Sequence, residues 1–417
     1  MRIFILALIL MGLTHLQAMK IGTNFWNIDW MNPNDIFKSK AFLADGENPF
    51  NPTMLQEVGF YKVIRTMDWT PTNNVETVSW ATREPINGKQ QGRVAWEWHV
   101  DLANRVGADL WINVPTTADD AYVTELANLM KTRLNSNHKL YVEWSNETWN
   151  WAFPQADYCS KKGIALNLQG DKYEQAVRFM PIRAAQVWKV FMDVFGKDNN
   201  RIVKVMASQD GSEWLTGRHL ESLKDKNLNP SGLMPDVYAT APYFGYGMDG
   251  LDPNLRTKLS EDIHKLAVAN RKVRDIVNAE NIAYVSYEGG QTIASYATKE
   301  GAHSDIPNRD PRMYDMYIQY LDTMSTVYSL FMHYCHSGQA GGQGSWGSLE
   351  YTGQPIKDAP KYRALKDWVA AHPDGSVTPV LSAKRNVHTK ANKQRVANIL
   401  GRIFKSMSRD YLRTPLL

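Results

Sequence analysis

The residues of this chain that could carry out chemistry begin with Glu147, which ends the segment Tyr141-Val142-Glu143-Trp144-Ser145-Asn146-Glu147. Alternation along a strand that ends near Trp144 places Glu147 at or just beyond the strand's carboxyl end. Trp144, Trp149 and Trp151 surround this carboxyl group in the sequence, and the resulting desolvation favours its protonated form, which can act as a general acid. Asn146 beside it offers a donor and an acceptor for a substrate hydroxyl.

A second carboxyl group, Glu288, follows the segment Ala283-Tyr284-Val285-Ser286-Tyr287 and precedes two glycines. The glycines let the backbone turn sharply and keep the space above the carboxylate open. Two carboxyl groups about 5 Å apart allow one to attack an anomeric carbon while the other protonates the departing oxygen. The alternative is a pair of structural carboxylates that cap helices or pair with arginines.

The elements that must position these two groups alternate between short β-branched or aromatic runs and longer helical segments, which predicts βαβ units and a parallel sheet. Eight strands are predicted, each followed by a helix, which is the count of a (β/α)8 TIM barrel. A doubly wound sheet is the alternative, but no Gly-rich phosphate fingerprint follows the first strand. Glu147 and Glu288 follow the fourth and seventh strands, so they face each other across the mouth. The predicted strands are Met19 to Phe25, Tyr61 to Met67, Asp109 to Val114, Lys139 to Trp144, Ile202 to Ala207, Asp236 to Ala241, Ala283 to Tyr287 and Tyr328 to Tyr334.

Long loops rich in Trp, Asn, Gly and Pro follow several of these strands, and in a barrel they emerge at the carboxyl face where active sites are built. They are Trp26 to Asn51, Trp69 to Val94, Trp149 to Gly170 and His336 to Pro355. Strand ends and mouth loops supply the candidate substrate contacts Asn24, Trp26, Trp69, Asn113, Trp149 and Gln291. His333 and His336 could also contact a sugar hydroxyl, although we favour buried, satisfied histidines.

With both glutamates at these strand ends, the chain resembles the retaining glycoside hydrolases of the (β/α)8-barrel clan A, which includes cellulases, mannanases and arabinofuranosidases. The resemblance spans residues 19 to 371 and implies an acid/base at Glu147, after Asn146, and a nucleophile at Glu288. It also implies that Arg65 and Tyr243 contact the nucleophile and that Trp346 forms a sugar platform. The chain departs from the clan at Thr240, near which a His is often found, and in Thr148-Trp149-Asn150, so no single family is assigned.

Composition allows one large catalytic domain and gives no reason to expect a nucleic-acid partner. Hydrophobic residues make up 43% of the 417 residues, which permits a sizeable core, and 14 Trp and 19 Tyr exceed what a core needs. The net charge of +4 is misleading, because residues 384–417 carry nine Lys or Arg and one acid, which leaves the rest at −4. The body of the protein is therefore weakly acidic.

The two ends of the chain have compositions of their own. Met1-Arg2, an apolar run from Ile3 to Leu13 and a small residue at Ala18 predict a signal peptide over residues 1–18, and hence secretion or transport to the periplasm. The catalytic barrel is predicted over residues 19–372 and a linker over 373–383. Residues 384–417 form a basic, helix-patterned tail that could make weak contact with a membrane surface or a partner, or simply pack loosely on the barrel.

The sequence contains no zinc-ligand spacing, serine-hydrolase elbow or dinucleotide motif, so we expect no metal and no cofactor. Two cysteines, Cys159 and Cys335, permit one disulfide. The expected substrate is a polysaccharide or oligosaccharide, and stable membrane insertion is not expected. The competing hypothesis is a non-catalytic carbohydrate-binding or cell-surface protein on the same barrel.

Overall fold

The structure is a computed structural model that describes residues 19–25, 49–86, 94–197, 199–295, 301–342 and 344–373. The predicted signal peptide, most of the linker, the basic tail and Trp26 lie outside these ranges.

Eight parallel strands form the centre of the fold and pair in chain order, each with the next as far as the seventh. Their bounds are β1 Lys20–Asn24, β2 Val63–Arg65, β3 Asp109–Val114, β4 Leu140–Trp144, β5 Ile202–Ala207, β6 Val237–Thr240, β7 Ala283–Ser286 and β8 Leu330–His333. β1 also pairs with β8, with Lys20 opposite Leu330. Between β7 and β8 the ring is bridged by individual hydrogen bonds, such as Ser329 N to Tyr284 O at 3.0 Å. The nearly closed ring confirms the predicted TIM barrel and excludes a doubly wound sheet, whose strand order would reverse.

The barrel strands form where the sequence is apolar on both faces. Four of the five residues in β1 and all five in β4 are buried, as expected for a parallel sheet covered by helices outside and filled by side chains inside. Each barrel strand lies inside its predicted bounds. A separate pair of two-residue strands, Tyr243–Phe244 and Gly290–Gln291, joins the segments that follow β6 and β7 above the barrel.

The helices surround the strands and bury one stripe each. They are α1 Pro52–Val58, α2 Trp96–Val106, α3 Asp120–Arg133, α4 Pro154–Ala165, α5 Lys172–Phe195, α6 Glu213–Lys224, α7 Leu255–Asn278, α8 Asp305–Arg309, α9 Met313–Ser325 and α10 Pro360–Ala371. Short 3-10 turns occupy Met67–Trp69, Trp80–Thr82 and Ile356–Asp358. Side-chain caps begin several of the α-helices: Asp119 accepts from Tyr122 N, and Asp171 accepts from Tyr173 N and Glu174 N.

One predicted loop is in part a helix. Residues 154 to 165 of the expected loop Trp149 to Gly170 form α4, which begins with Pro154 in its first turn, where proline's fixed φ suits a helix start. Gly163 has no side chain to hold α4 away from the backbone of Gln175 on α5, so the two helices pack closely. Interpreting the Trp and Pro content as loop composition therefore missed a helix that lies against its neighbour.

Cys159 and Cys335 are both buried and both free. Across the described ranges, the helices are all too short or too polar to cross a membrane.

Candidate active site

Glu147 and Glu288 lie in the turns that follow β4 and β7, at the carboxyl face of the barrel. Glu147 has a left-handed backbone, with φ of 40°, and so does Ser145, with φ of 60°. Non-glycine residues rarely adopt this conformation, so two of them in one short turn mark a backbone held in place by its surroundings. Gly290, with φ of 130°, turns the chain after Glu288 at a point where a Cβ atom would press on Tyr317 and His333.

Glu288 accepts hydrogen bonds from a cation and from a phenol. Arg65 Nη1 donates to its Oε1 at 2.7 Å, and the Tyr243 hydroxyl donates to its Oε2 at 2.9 Å. These are the two contacts that the resemblance implies for this residue. Both donors stabilise the ionised form of the carboxyl group.

Arg65 is fully buried and forms hydrogen bonds with several side chains at the base of the site. Besides Glu288 it donates to Glu143 through Nε and Nη2, at 3.2 and 3.0 Å, to Asn24 Oδ1 at 3.1 Å and to Asn146 Oδ1 at 2.9 Å. Glu143 also accepts from Trp111 Nε1 at 2.8 Å. One guanidinium group therefore links side chains from β1, β2 and β4 to the turn after β7, which fixes Glu288 with little freedom to move.

Glu147 has neutral partners. The Tyr287 hydroxyl donates to its Oε1 and the Asn150 side-chain amide to its Oε2, each at 2.8 Å. Glu147 is partly exposed, whereas Glu288 is buried. Glu288 is thus buried and held by a cation, whereas Glu147 is partly exposed and held by neutral donors. Two different environments of this kind allow the two carboxyl groups to have different roles.

Burial raises the pKa of Glu288 to about 8, and the negative charges of Glu147 and Asp68 act in the same direction, against Arg65 and Tyr243. Burial likewise raises the pKa of Asp68 to about 6 and raises that of Glu143. A single guanidinium cannot balance all these carboxylates in a dry pocket. Glu288 therefore releases its proton only as pH rises through about 8, whereas Asp68 releases its proton near pH 6.

Asp68 and Tyr334 belong to this pocket and were missed by the sequence analysis. The Tyr334 hydroxyl donates to Asp68 Oδ2 at 3.2 Å, and the Tyr334 ring lies 6.3 Å from that of Tyr243, edge to face. Asp68 lies three residues after β2 and Tyr334 directly after β8. The same strand-end rule that identified Glu147 and Glu288 could have found them.

The structure distributes the other candidate contacts between the site and the core. Asn24 and Asn146 are in the Arg65 network. Trp69 is 1% exposed and packs on Phe25 and His99, while Gln291 is fully buried. Trp69 also lines a cavity with Thr70 and Trp96.

Trp149 and Trp346 lie closer to the surface. Trp149 is mostly buried, with its ring 6.1 Å from that of Tyr287. Trp346 is half-buried, and its indole nitrogen donates to Thr292 Oγ1 at 3.1 Å, just after the turn that carries Glu288.

The amide of Asn113 donates to Ser145 O at 2.7 Å and so supports the turn before Glu147. His333 and His336 are both buried, as we favoured, with His333 beside the Tyr317 hydroxyl and His336 beside Glu57. They are not fully satisfied, because His333 Nδ1 and both ring nitrogens of His336 have no hydrogen-bond partner among the described residues. No group of three or more His, Cys, Asp or Glu side chains within the described ranges is arranged to hold a metal ion.

Comparison with known proteins identifies no specific family. No family model matches the chain, and no curated protein matches its sequence. Solved structures of similar fold include a family 51 arabinofuranosidase from Xanthomonas axonopodis pv. citri, 11% identical, with a TM-score of 0.49 over 76% of this chain and 66% of its own. A modular endo-β-1,4-mannanase from Cellulomonas fimi is 12% identical, with a TM-score of 0.47 over 85% and 71%. A broad-specificity endoglucanase from Clostridium acetobutylicum is 10% identical, with a TM-score of 0.45 over 83% and 96%.

These neighbours are glycoside hydrolases by name, and this chain is similar to them in its barrel. At such identities and TM-scores, similarity to these structures does not assign an activity to this chain. Whatever chemistry is assigned to it has to come from the site itself.

Proposed function

We propose that this protein is a retaining glycoside hydrolase that cleaves a polysaccharide or oligosaccharide by double displacement. The observation that carries this proposal is the contrast between the two mouth glutamates: Glu288 is held by Arg65 and Tyr243, whereas Glu147 is held by neutral donors. A site that only binds sugar has no need of one carboxylate immobilised by a cation opposite a second one that is free to exchange a proton.

In the first step Glu288 is the nucleophile. One of its oxygens attacks the anomeric carbon, and the bond from that carbon to the departing oxygen breaks as Glu147 gives its proton to that oxygen. Arg65 and Tyr243 fix the direction of attack, since each holds one of the two oxygens of Glu288. The product of this step is a glycosyl ester on Glu288.

In the second step Glu147 acts as a base. It takes a proton from water, whose oxygen bonds to the anomeric carbon while the ester bond to Glu288 breaks. The configuration at the anomeric carbon is inverted twice and so is retained. Glu147 is suited to this exchange because it is partly exposed and therefore accessible to water.

Glu288 must be ionised when it attacks the anomeric carbon. Burial and the negative charges of Glu147 and Asp68 raise the pKa of Glu288 to about 8, while the guanidinium of Arg65 acts against them. The ionised fraction of Glu288 therefore grows as pH rises toward 8, and Arg65 and Tyr243 hold the carboxylate that forms.

The roles can be tested with alanine variants and dinitrophenyl glycosides, whose leaving group needs no proton. Glu288→Ala should be inactive on every substrate, because no ester can form. Glu147→Ala should keep its first step on the activated substrates, and azide should speed its turnover by replacing the base-activated water. Glu125→Ala, at an exposed position on α3, is the matched control and should behave as wild type.

The substrate panel consists of gluco-, manno-, xylo- and arabinofuranosyl derivatives, each with its polysaccharide counterpart. Equal losses in both site variants with no azide effect would remove the assignment of roles. Wild-type protein that binds polysaccharide yet cleaves no member of the panel would favour the non-catalytic alternative.

We also propose that the protein is exported, on the basis of the basic, apolar and small-residue pattern of residues 1–18. Amino-terminal sequencing of protein collected from the medium or periplasm tests this, with Met19 expected as the first residue.

A further inference from the structure

Three aromatic rings at the rim of the barrel form a continuous strip. Trp151 follows the turn that carries Glu147, Tyr173 lies in the first turn of α5, and Trp214 lies in the first turn of α6. The ring centroids of Trp151 and Tyr173 are 6.1 Å apart, and those of Tyr173 and Trp214 are 5.6 Å apart with nearly parallel planes. We call these three residues the aromatic strip.

The aromatic strip faces solvent. Trp151 is 46% exposed and Trp214 is 45% exposed, and no other Trp in the described part of the chain is exposed to this degree. Tyr173 between them is half-buried. A large apolar ring that keeps one face open to water needs a functional reason when two more rings adjoin it.

An ion-pair network joins the two helices that carry Tyr173 and Trp214. Glu174, next to Tyr173, pairs with Arg178 at 2.7 Å and with Arg218 of α6 at 3.3 Å, and both arginines also pair with Glu221. These contacts bind the first turn of α5 to α6. Tyr173 and Trp214 are therefore held in place before a partner binds, so less side-chain entropy is lost on binding.

The strip continues from the catalytic pocket. The Tyr287 hydroxyl that donates to Glu147 belongs to a ring in contact with Trp149, and Trp151 comes two residues later. Glu147 must reach the departing oxygen, so the part of the substrate beyond the cleaved bond leaves the pocket on the side of Glu147. That is the side on which the rim elements after β4 and β5 carry Trp151, Tyr173 and Trp214.

We propose that the aromatic strip binds sugar units on the leaving-group side of the cleaved bond, and that the substrate is a polysaccharide cut within its chain. This inference rests on the proposed function. Flat rings of this kind stack on the apolar faces of sugar rings, and the two exposed rings, Trp151 and Trp214, lie on either side of Tyr173. A small aryl group beyond the cleaved bond offers the strip less to bind than a chain of sugars does, so cleavage of aryl glycosides should depend less on the strip.

The test compares Trp151→Ala/Trp214→Ala with wild type and with Val268→Ala. Val268 is 44% exposed midway along α7, away from the mouth loops, so it is a matched exposed apolar control. The kcat/KM is measured on barley β-glucan, konjac glucomannan and birchwood xylan, and on the matching dinitrophenyl glycosides. Retardation of each protein in native gels that contain these polysaccharides gives binding without catalysis, and thermal unfolding checks the fold.

The double variant should lose on the order of tenfold in kcat/KM on the polymer relative to the aryl glycoside, and its retardation by that polymer should weaken, whereas Val268→Ala should match wild type. Equal losses on polymer and aryl glycoside, or cleavage of the polymer with unchanged kcat/KM and retardation, would overturn the role of the strip. If the polysaccharide retards wild type but not the double variant, and neither protein hydrolyses it, the strip is supported as a sugar-binding surface and the proposed function is overturned. Neither hydrolysis nor retardation would overturn both.

Discussion

Replacing the proposed nucleophile by its amide, Glu288→Gln, should stabilise the protein at neutral and alkaline pH. The amide keeps the volume of the side chain and can still accept from Arg65 and meet the Tyr243 hydroxyl, but it never carries a charge. The wild-type residue is 6% exposed, and its carboxyl group costs free energy whenever it must ionise in this buried pocket. Glu288→Gln should therefore lose activity and gain stability, as is common for substitutions of active-site residues whose burial destabilises the fold.

The size of the effect follows from the pKa of Glu288, about 8 in the folded protein against an ordinary value of 4.5. Between these pH values the folded protein holds a proton that the unfolded chain has released. The free energy of unfolding therefore falls as pH rises, by about 1.4 kcal/mol per pH unit at most. Below about pH 4.5 this loss is absent, and above pH 8 it reaches about 4 to 5 kcal/mol, all of which the amide avoids.

The assay is urea unfolding of wild type, Glu288→Gln and Glu125→Gln at half-unit steps from pH 4.5 to 9. The difference in free energy of unfolding between Glu288→Gln and wild type should widen steadily with pH and level off above 8. Glu125→Gln, at an exposed position on α3, should show no such trend. A difference that stays constant with pH, or a Glu288→Gln protein less stable than wild type at pH 8, would refute the reasoning.

Three further changes test other parts of the structure. Tyr243→Phe removes the phenol that donates to Glu288, so kcat should fall about 10- to 100-fold with a smaller change in KM; steady-state kinetics that show an unaltered kcat would contradict this. Burial lowers the pKa of Lys361 to about 7 from 10.5, so the folded protein loses stability as pH falls through that interval, and Lys361→Met should gain on wild type in urea melts as pH drops from 10 to 7. Truncation after Pro373 should leave the melting temperature and the rate on small substrates almost unchanged and should weaken salt-dependent retention on acidic polymers, whereas a large fall in melting temperature would place residues 374–417 in the packed domain.

The fold could be predicted because a parallel barrel imposes a strong pattern on its sequence. Strands buried on both faces appear as short apolar runs, and every barrel strand lies within its predicted bounds. The helix Pro154–Ala165 was missed because its Trp- and Pro-rich surroundings resemble a loop, and only its packing on α5 accounts for its position.

The site was predictable to the extent that strand ends can be located. Glu147 and Glu288 follow directly from that rule, Arg65 was implied by the resemblance, and Asp68 could have been found by the rule. The neighbours of a side chain are not encoded in its position, so the contact of Trp69 with Phe25 could not be predicted. Contacts between distant rings, such as Tyr173 on Trp214, depend on how two helices are placed and leave no local signal in the sequence.

The Arg65 network has a consequence for the way the protein acquires activity as it folds. Arg65 and Glu288 are 223 residues apart in the chain, and β1 reaches β8 only when nearly the whole barrel has assembled. Contacts of such long range form late, since the chain must lose the entropy of closing a large loop before they contribute. Until then the guanidinium group remains hydrated and Glu288 is free to turn. Ring closure and the formation of a working nucleophile are therefore one event, and regain of turnover during refolding would report the closing of the barrel itself.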